Sequence, residues 1–174
     1  KSKSIKPVTP KKWTLLIDSA TNTAFMNLSS FSGKGFKKFI TKSFRNIKVS
    51  GVKNLVIDLR SNGGGEIKNS TLLTKYVSDH SFKIADSVFA NNRGVRKIPF
   101  GSYFSVMGHA LAKLMISKKM DGGGYHLKRY ETHYYQPFTK NHFDGNVYIL
   151  QGGYTFSAST LFTSPLINQN NVTI

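Results

Sequence analysis

The chain of 174 residues contains no cysteine, which excludes a disulfide framework, a thiolate nucleophile and a cysteine-held zinc, and leaves the redox compartment open. Acidic residues are scarce: 8 Asp and Glu stand against 25 Lys and Arg, for a net charge of +17. Such a balance raises nucleic acid or an anionic surface as a partner. The basic residues are scattered, however, over Lys37, Lys38, Lys42, Arg45 and Lys48, then Arg93, Arg96 and Lys97, then Lys118 and Lys119. No unbroken basic run marks a nucleic-acid tail, and a solvated basic surface accounts for the pattern. Also missing is any apolar run long enough to span a bilayer, and the polar opening Lys1-Ser-Lys-Ser-Ile-Lys is not a signal peptide. An exported protein would have lost its targeting segment before this start.

What is present suits one compact domain, since 39% of the residues are hydrophobic and the length supports a sizeable core. Lys1 to Lys12 is polar, holds two prolines and lacks periodicity, as a linker from an absent upstream region would. The ordered core is expected over 13–174. Trp13-Thr-Leu-Leu-Ile-Asp and Thr23-Ala-Phe-Met-Asn-Leu read as two strands joined by a turn. From Gly35 the period changes, with Phe36, Phe39, Ile40, Phe44 and Ile47 at helical steps and lysines between them, so an amphipathic helix with an aromatic core face is predicted, ended by Gly51.

Lys53-Asn-Leu-Val-Ile-Asp-Leu-Arg is a nearly continuous apolar segment, expected as a strand buried on both faces. Asn62-Gly-Gly-Gly follows, and then a second helix from Glu66 with Ile67, Leu72, Leu73, Tyr76 and Val77 inward. The stretch from Asp79 to Asp144 is less regular: Phe82 to Phe89 suggests a strand, Val106 to Ile116 a short helix, and Tyr125 to Phe138 a strand or hairpin. Asn146-Val-Tyr-Ile-Leu is again a short buried strand, leading through Gln151-Gly-Gly-Tyr-Thr-Phe-Ser-Ala-Ser into a helical face of Leu161, Phe162, Leu166 and Ile167. Strand, small-residue turn and helix thus occur twice.

Two such turns at one sheet edge could bring together backbone N–H groups and a hydroxyl. Acyl transfer needs that combination, because the negative oxygen formed when a hydroxyl attacks a carbonyl must be met by pre-aimed donors. The plain alternatives are a simple connection at the glycines and an N-cap role for Ser157 or Ser159. Neither turn has the spacing of a P-loop or a dinucleotide fingerprint.

Two longer motifs decide between these readings. Leu55-Val-Ile-Asp-Leu-Arg-Ser-Asn-Gly-Gly-Gly resembles the Asp-Leu-Arg-x-Asn-x-Gly-Gly signature of the C-terminal-processing (tail-specific) serine peptidases, family S41, and Val147-Tyr-Ile-Leu-Gln-Gly-Gly-Tyr-Thr-Phe-Ser-Ala-Ser is similar to that family's nucleophile segment. The resemblance covers most of the chain from Trp13 to Ile174. It implies an α/β fold, a ClpP/crotonase-like core of strand-turn-helix units with a less regular middle insertion. It places the nucleophile at Ser157 and the oxyanion donors at the amides of Ala158 and Gly64, with Gly65 the neighbouring candidate. Asp58 and Arg60 are read as structural partners that hold the turn, or as a surface ion pair of little energetic value.

The resemblance also implies a general base that this chain does not identify. Bacterial members use a lysine further along than Ile174 reaches, so the core is expected to be incomplete at its C-terminal end; a branch resembling tricorn protease uses histidine. His80, His109, His126, His133 and His142 are available, and none sits in a matching motif. The family's peptide-binding PDZ module is not recognisable either. Tyr125, His126, Tyr130, His133, Tyr134 and Tyr135 could line a peptide groove, with core packing as the plainer role. No metal is assigned, since no close histidine pair stands with a carboxylate at ligand spacing, and no cofactor is implied. The expected function is a serine endopeptidase acting on polypeptides, exported to the periplasm or cell envelope; the alternatives are a non-catalytic peptide- or ligand-binding protein of the same fold and a basic nucleic-acid-binding domain.

Overall fold

The computed structural model describes residues 12–87 and 131–174, together with the backbone of 89–90, 117–119 and 125–127. The chain divides into two compact units, one formed by Lys1–His80 with Pro137–Ile174 and the other by Ser81–Gln136.

The first unit opens with a hairpin of β1 (Trp13–Asp18) and β2 (Thr23–Leu28), antiparallel, with Leu16 opposite Phe25. Asp18 shapes the turn by accepting hydrogen bonds from the Ala20 amide (2.9 Å) and the Thr21 hydroxyl (2.8 Å). Helix α1 (Phe36–Ser50) buries Phe36, Ile40, Phe44 and Ile47, the expected aromatic stripe, with Phe39 half-buried at its margin. Gly51 ends it at φ 68°, a left-handed conformation in which its amide reaches back to the Ile47 carbonyl at 3.2 Å. The helix carries the chain across to β3 (Asn54–Asp58), parallel to β2.

After β3 comes α2 (Ile67–Val77), and after the second unit β7 (Asn146–Leu150), parallel to β3 with Asp58 opposite Leu150. Helix α3 (Ala158–Thr163), a 3₁₀ turn (Ser164–Leu166) and β8 (Val172–Thr173), parallel to β7, complete a five-stranded sheet in the order β1-β2-β3-β7-β8. The core is continuous: Ala24, Met26, Leu28, Leu55, Ile57, Val147 and Ile149 of the sheet are buried with Phe36, Ile40, Phe44, Leu73, Val77 and Phe162 of the helices. Phe44 stacks on Tyr76 with ring centroids 4.4 Å apart, joining α1 to α2. Removing such a buried ring costs about 3–5 kcal/mol.

Three expectations for this unit are corrected. The strands β3 and β7 are buried on one face only, with alternating burial. Their other face carries a cross-strand row, Leu16, Phe25, Val56 and Tyr148, in which Leu16 is 65% and Phe25 42% exposed. The inner face of α2 is more polar than its apolar spacing suggests: Asn69, Ser70 and Thr74 are buried beside Leu73, Tyr76 and Val77, while Ile67 and Leu72 are half-buried. Asn69 earns its burial by donating to the Phe31 carbonyl at 2.7 Å. Leu166 and Phe162 are buried as predicted, but Ile167 is exposed.

At the end of the first unit opposite the β3 and β7 exits, Gln169 is buried and fully used. It donates to the Val77 carbonyl (2.8 Å) and to Asn171 Oδ1 (2.7 Å), and it accepts from the Asp79 amide (3.0 Å).

The second unit contains a three-stranded antiparallel sheet, β4 (Phe89–Ala90), β6 (Tyr125–Leu127) and β5 (Ser117–Lys119), in the order β4-β6-β5. Among the described residues, the strand expected from Phe82 to Phe89 is seen as a bridge between Phe82 and Tyr135 and as β4. The helix expected over 106–116 lies outside the described residues. Tyr135 stacks on Phe82 (5.7 Å) and meets the edge of His133 (4.4 Å), and Tyr134 is exposed.

Candidate active site

Because β3 and β7 are parallel neighbours in the middle of the sheet, the turns that follow them leave at the same carboxyl edge, the place where open α/β sheets bind ligands. The first turn is braced at once. Asp58 accepts from the Arg60 amide (3.0 Å) and takes a two-pronged pairing from the guanidinium, Nε to Oδ1 at 3.0 Å and Nη2 to Oδ2 at 2.8 Å. The Arg60 hydrogen bond is the chief reason the Asp58 carboxyl lies below the usual carboxylate range. With the Arg60 side chain mostly in solvent, the pair shapes the turn more than it stabilises the fold. The second turn is tied to the first by the Thr155 hydroxyl, which donates to the Leu59 carbonyl (2.8 Å) and accepts from the Gly152 amide (2.9 Å).

Asn62 is wholly buried where the two turns meet. Its Nδ2 donates to the Leu28 carbonyl (2.8 Å) and its Oδ1 accepts the Gly64 amide (2.9 Å). Its backbone carbonyl accepts the Ser159 hydroxyl (3.0 Å) and the Phe156 amide (3.2 Å). Gly64 adopts φ 105° and lies against the second turn so closely that a Cβ there would stand 2.7 Å from Ser157 Cβ and 2.8 Å from the Phe156 carbonyl oxygen. Only glycine fits that approach and that backbone angle.

Ser157 sits at φ 55°, ψ −120°, a conformation that costs of order 1–3 kcal/mol and persists only where its surroundings impose it. Its side chain makes no capping hydrogen bond to α3, which sets aside the N-cap alternative, and the residue is exposed. Ser159, the other hydroxyl of the segment, is buried and committed to Asn62. Ala158 follows as the first residue of α3, buried beneath the turn.

Ser157, Ala158 and Gly64 are thus brought together. The Gly64 amide donates to Asn62, whereas the amides of Gly65 and Ala158 meet no acceptor among the described residues. Gly65, at φ 138°, packs on Phe31 and Ser32. The sequence assigns no role to Asn62 or Thr155 and only the N-cap alternative to Ser159, whose hydroxyl instead goes to Asn62; the Asn of the first motif is the available signal. A cleft of about 730 Å³ opens beside the glycine turn, lined by Gly33 to Lys37 before and at the start of α1 and by Glu66, Lys68, Asn69 and Leu72 of α2 and its entry.

The histidines of this unit are elsewhere. His142 is held from both ring nitrogens, Nδ1 by Asp144 (2.8 Å) and Nε2 by the Ser78 carbonyl (2.9 Å), before β7 begins. Five residues of strand separate that end from the serine turn, ~16 Å at about 3.3 Å per residue. The His142 hydrogen bond is also the chief cause that keeps the Asp144 carboxyl below its usual range, with Lys48 adding to it. His80 pairs with Asp79 beyond the far end of α2. His133 belongs to the second unit, and the side chains of His109 and His126 lie outside the described residues. Among the described residues no three His, Asp or Glu side chains gather as a metal site. None of their helices is long and apolar enough to cross a membrane.

The sequence profile of peptidase family S41 matches residues 22–174. No curated protein matches the sequence. Among solved structures, a protein from Parabacteroides merdae described as a peptidase superposes with a TM-score of 0.58 at 17% identity, over 93% of this chain and 42% of its own length. The photosystem II D1 C-terminal processing protease gives 0.57 at 16% identity, over 96% of this chain and 36% of that one. Mature CPAF gives 0.56 at 13% identity, over 86% and 36%. At these identities the likeness is one of fold, and the chain spans about two-fifths of the length of those structures or less.

Proposed function

This chain belongs to peptidase family S41, and from that premise we propose that it supplies the nucleophile and the oxyanion donors of a serine endopeptidase of the C-terminal-processing type, acting on polypeptides at the periplasm or cell envelope. The observation that carries the reading is Ser157: a strained, exposed serine whose hydroxyl does not cap its helix, seated against a glycine turn from the neighbouring strand.

In this mechanism Ser157 Oγ bonds to the carbonyl carbon of the scissile peptide and gives its proton to a general base. The carbonyl oxygen, now negative, is met by backbone amides of Ala158 and of the Gly64–Gly65 turn. Collapse of the intermediate breaks the C–N bond, the base returns its proton to the leaving amine, and an acyl ester remains on Ser157. Water then attacks the ester by the same route in reverse, releasing the new carboxylate and restoring the serine. Each amide donor of this kind is worth a factor of about 10²–10³ in rate. His80 and His142 are not suited to be the base, being committed at the opposite end of the sheet.

A second reading, a polypeptide-binding protein of the same fold without hydrolysis, is favoured by one observation: the Gly64 amide already donates to Asn62. Covalent labelling by a fluorophosphonate with peptide mapping separates the two, performed on this chain and on a form carrying further C-terminal residues. Labelling at Ser157, lost in Ser157→Ala, is the expected result. Absence of labelling in both forms overturns the peptidase reading in favour of the binding protein.

A further inference from the structure

The geometry of Ser157 is imposed from outside its own turn. Phe156, just before it, through its amide, and Ser159, two positions after it, through its hydroxyl, both converge on the Asn62 carbonyl. The glycine that touches it, Gly64, is held by the Asn62 side chain. That carboxamide is anchored in turn by its donation to Leu28 at the end of β2. One buried residue therefore fixes both flanks of the serine and the surface beneath it, and a strained backbone persists only under such constraint.

We propose that Asn62 is the positioning residue of the nucleophile: its carboxamide aims Ser157 Oγ by locking the Gly64 turn in place, and by taking the Gly64 amide it leaves the amides of Gly65 and Ala158 to meet the oxyanion. The proposal rests on Ser157 being the nucleophile.

Asn62→Asp provides a chemical handle beyond deletion. Ionised, the carboxylate still accepts from Gly64 but faces the Leu28 carbonyl oxygen without a proton. Protonated, it donates to Leu28 and accepts from Gly64 as asparagine does. Lowering the pH should therefore restore Asn62→Asp relative to the wild type at each pH.

The experiment measures fluorophosphonate labelling of Ser157 in the full-length protein, for the wild type, Ser157→Ala, Asn62→Ala, Asn62→Asp, Ser159→Ala and, as a buried polar control at the other end of the unit, Gln169→Ala. Melting curves identify the temperature at which each is folded. Expected are a loss of about a hundredfold in the bond-forming rate at saturating label for Asn62→Ala, with little change in the half-saturating concentration, and a loss of about tenfold for Ser159→Ala. The ratio of Asn62→Asp to wild type should climb between pH 8 and pH 5.5, while Gln169→Ala stays within about twofold of wild type despite its lower melting point. If Asn62→Ala does not fold, Asn62→Asp and Ser159→Ala decide. Wild-type rates in the Asn62 variants, with a wild type that labels, overturn the positioning role alone. A wild type that does not label overturns the peptidase reading and the positioning role together.

Discussion

Replacing Gly64 by alanine puts a methyl group where the serine turn already is. An added Cβ would stand 2.7 Å from Ser157 Cβ, 2.8 Å from the Phe156 carbonyl oxygen and 3.0 Å from the Ala158 amide nitrogen. Carbon atoms rest at about 3.5–4.0 Å, so the two turns must separate by roughly 1 Å. Two of these contacts are backbone, which cannot swing aside as a side chain could. Gly64 also sits at φ 105°, where a residue with a Cβ is strained whatever the space around it. Overpacking and the backbone angle together should cost about 2–5 kcal/mol. For a chain of this size that is a drop in melting temperature of about 4–20 °C. A displacement of ~1 Å at the reacting atom should also cost about a hundredfold in fluorophosphonate labelling. Gly153→Ala is the matched control: it lies in the same pair of turns, nothing stands within 4 Å of its added Cβ and its φ is ordinary, so melting point and labelling should hold. Wild-type labelling by Gly64→Ala with an unchanged melting point would refute the close approach of the two turns.

Ser157→Gly relieves the strained φ of 55° and should raise the melting temperature while abolishing labelling, a gain in stability at the expense of the proposed nucleophile; differential scanning calorimetry checks it. Asp58 and Asp144 have carboxyls held below their ordinary range, the first chiefly by Arg60 and the second chiefly by His142. Such groups contribute stability that is fully present above the unfolded-state value near 4 and is lost as the pH falls through the lower folded value. The urea midpoint should therefore decline between pH 5 and pH 3, and decline less in Asp58→Asn.

How much of this was legible beforehand depended on range. Phe36, Ile40, Phe44 and Ile47 declare α1 by spacing alone, and Gly51 declares its end, because both signals are local. The two motifs likewise announced the turns that carry Gly64 and Ser157. What could not be read were the pairings across the chain. The Asn62 side chain binds Leu28, 34 residues away, and its carbonyl receives Ser159 from 97 residues away. His142 could have been a base on sequence grounds until its partners, Ser78 and Asp144, were seen. Nor does an apolar run such as Leu55-Val-Ile reveal whether one sheet face or two will be covered. The polar inner side of α2 escaped for the same reason, since Asn69 is at home there only because the Phe31 carbonyl lies opposite.

The sequence distance between the two turns also bears on the order of events during synthesis. A nascent chain that has emerged only through α2 possesses the glycine turn but not Ser157. The strained conformation of Ser157 requires β7 to be paired with β3, a contact between segments 92 residues apart and therefore among the slower ones to form. On the proposed reading, the nucleophilic conformation of Ser157 is in this sense a late product of folding, and partly made chains lack it by topology alone.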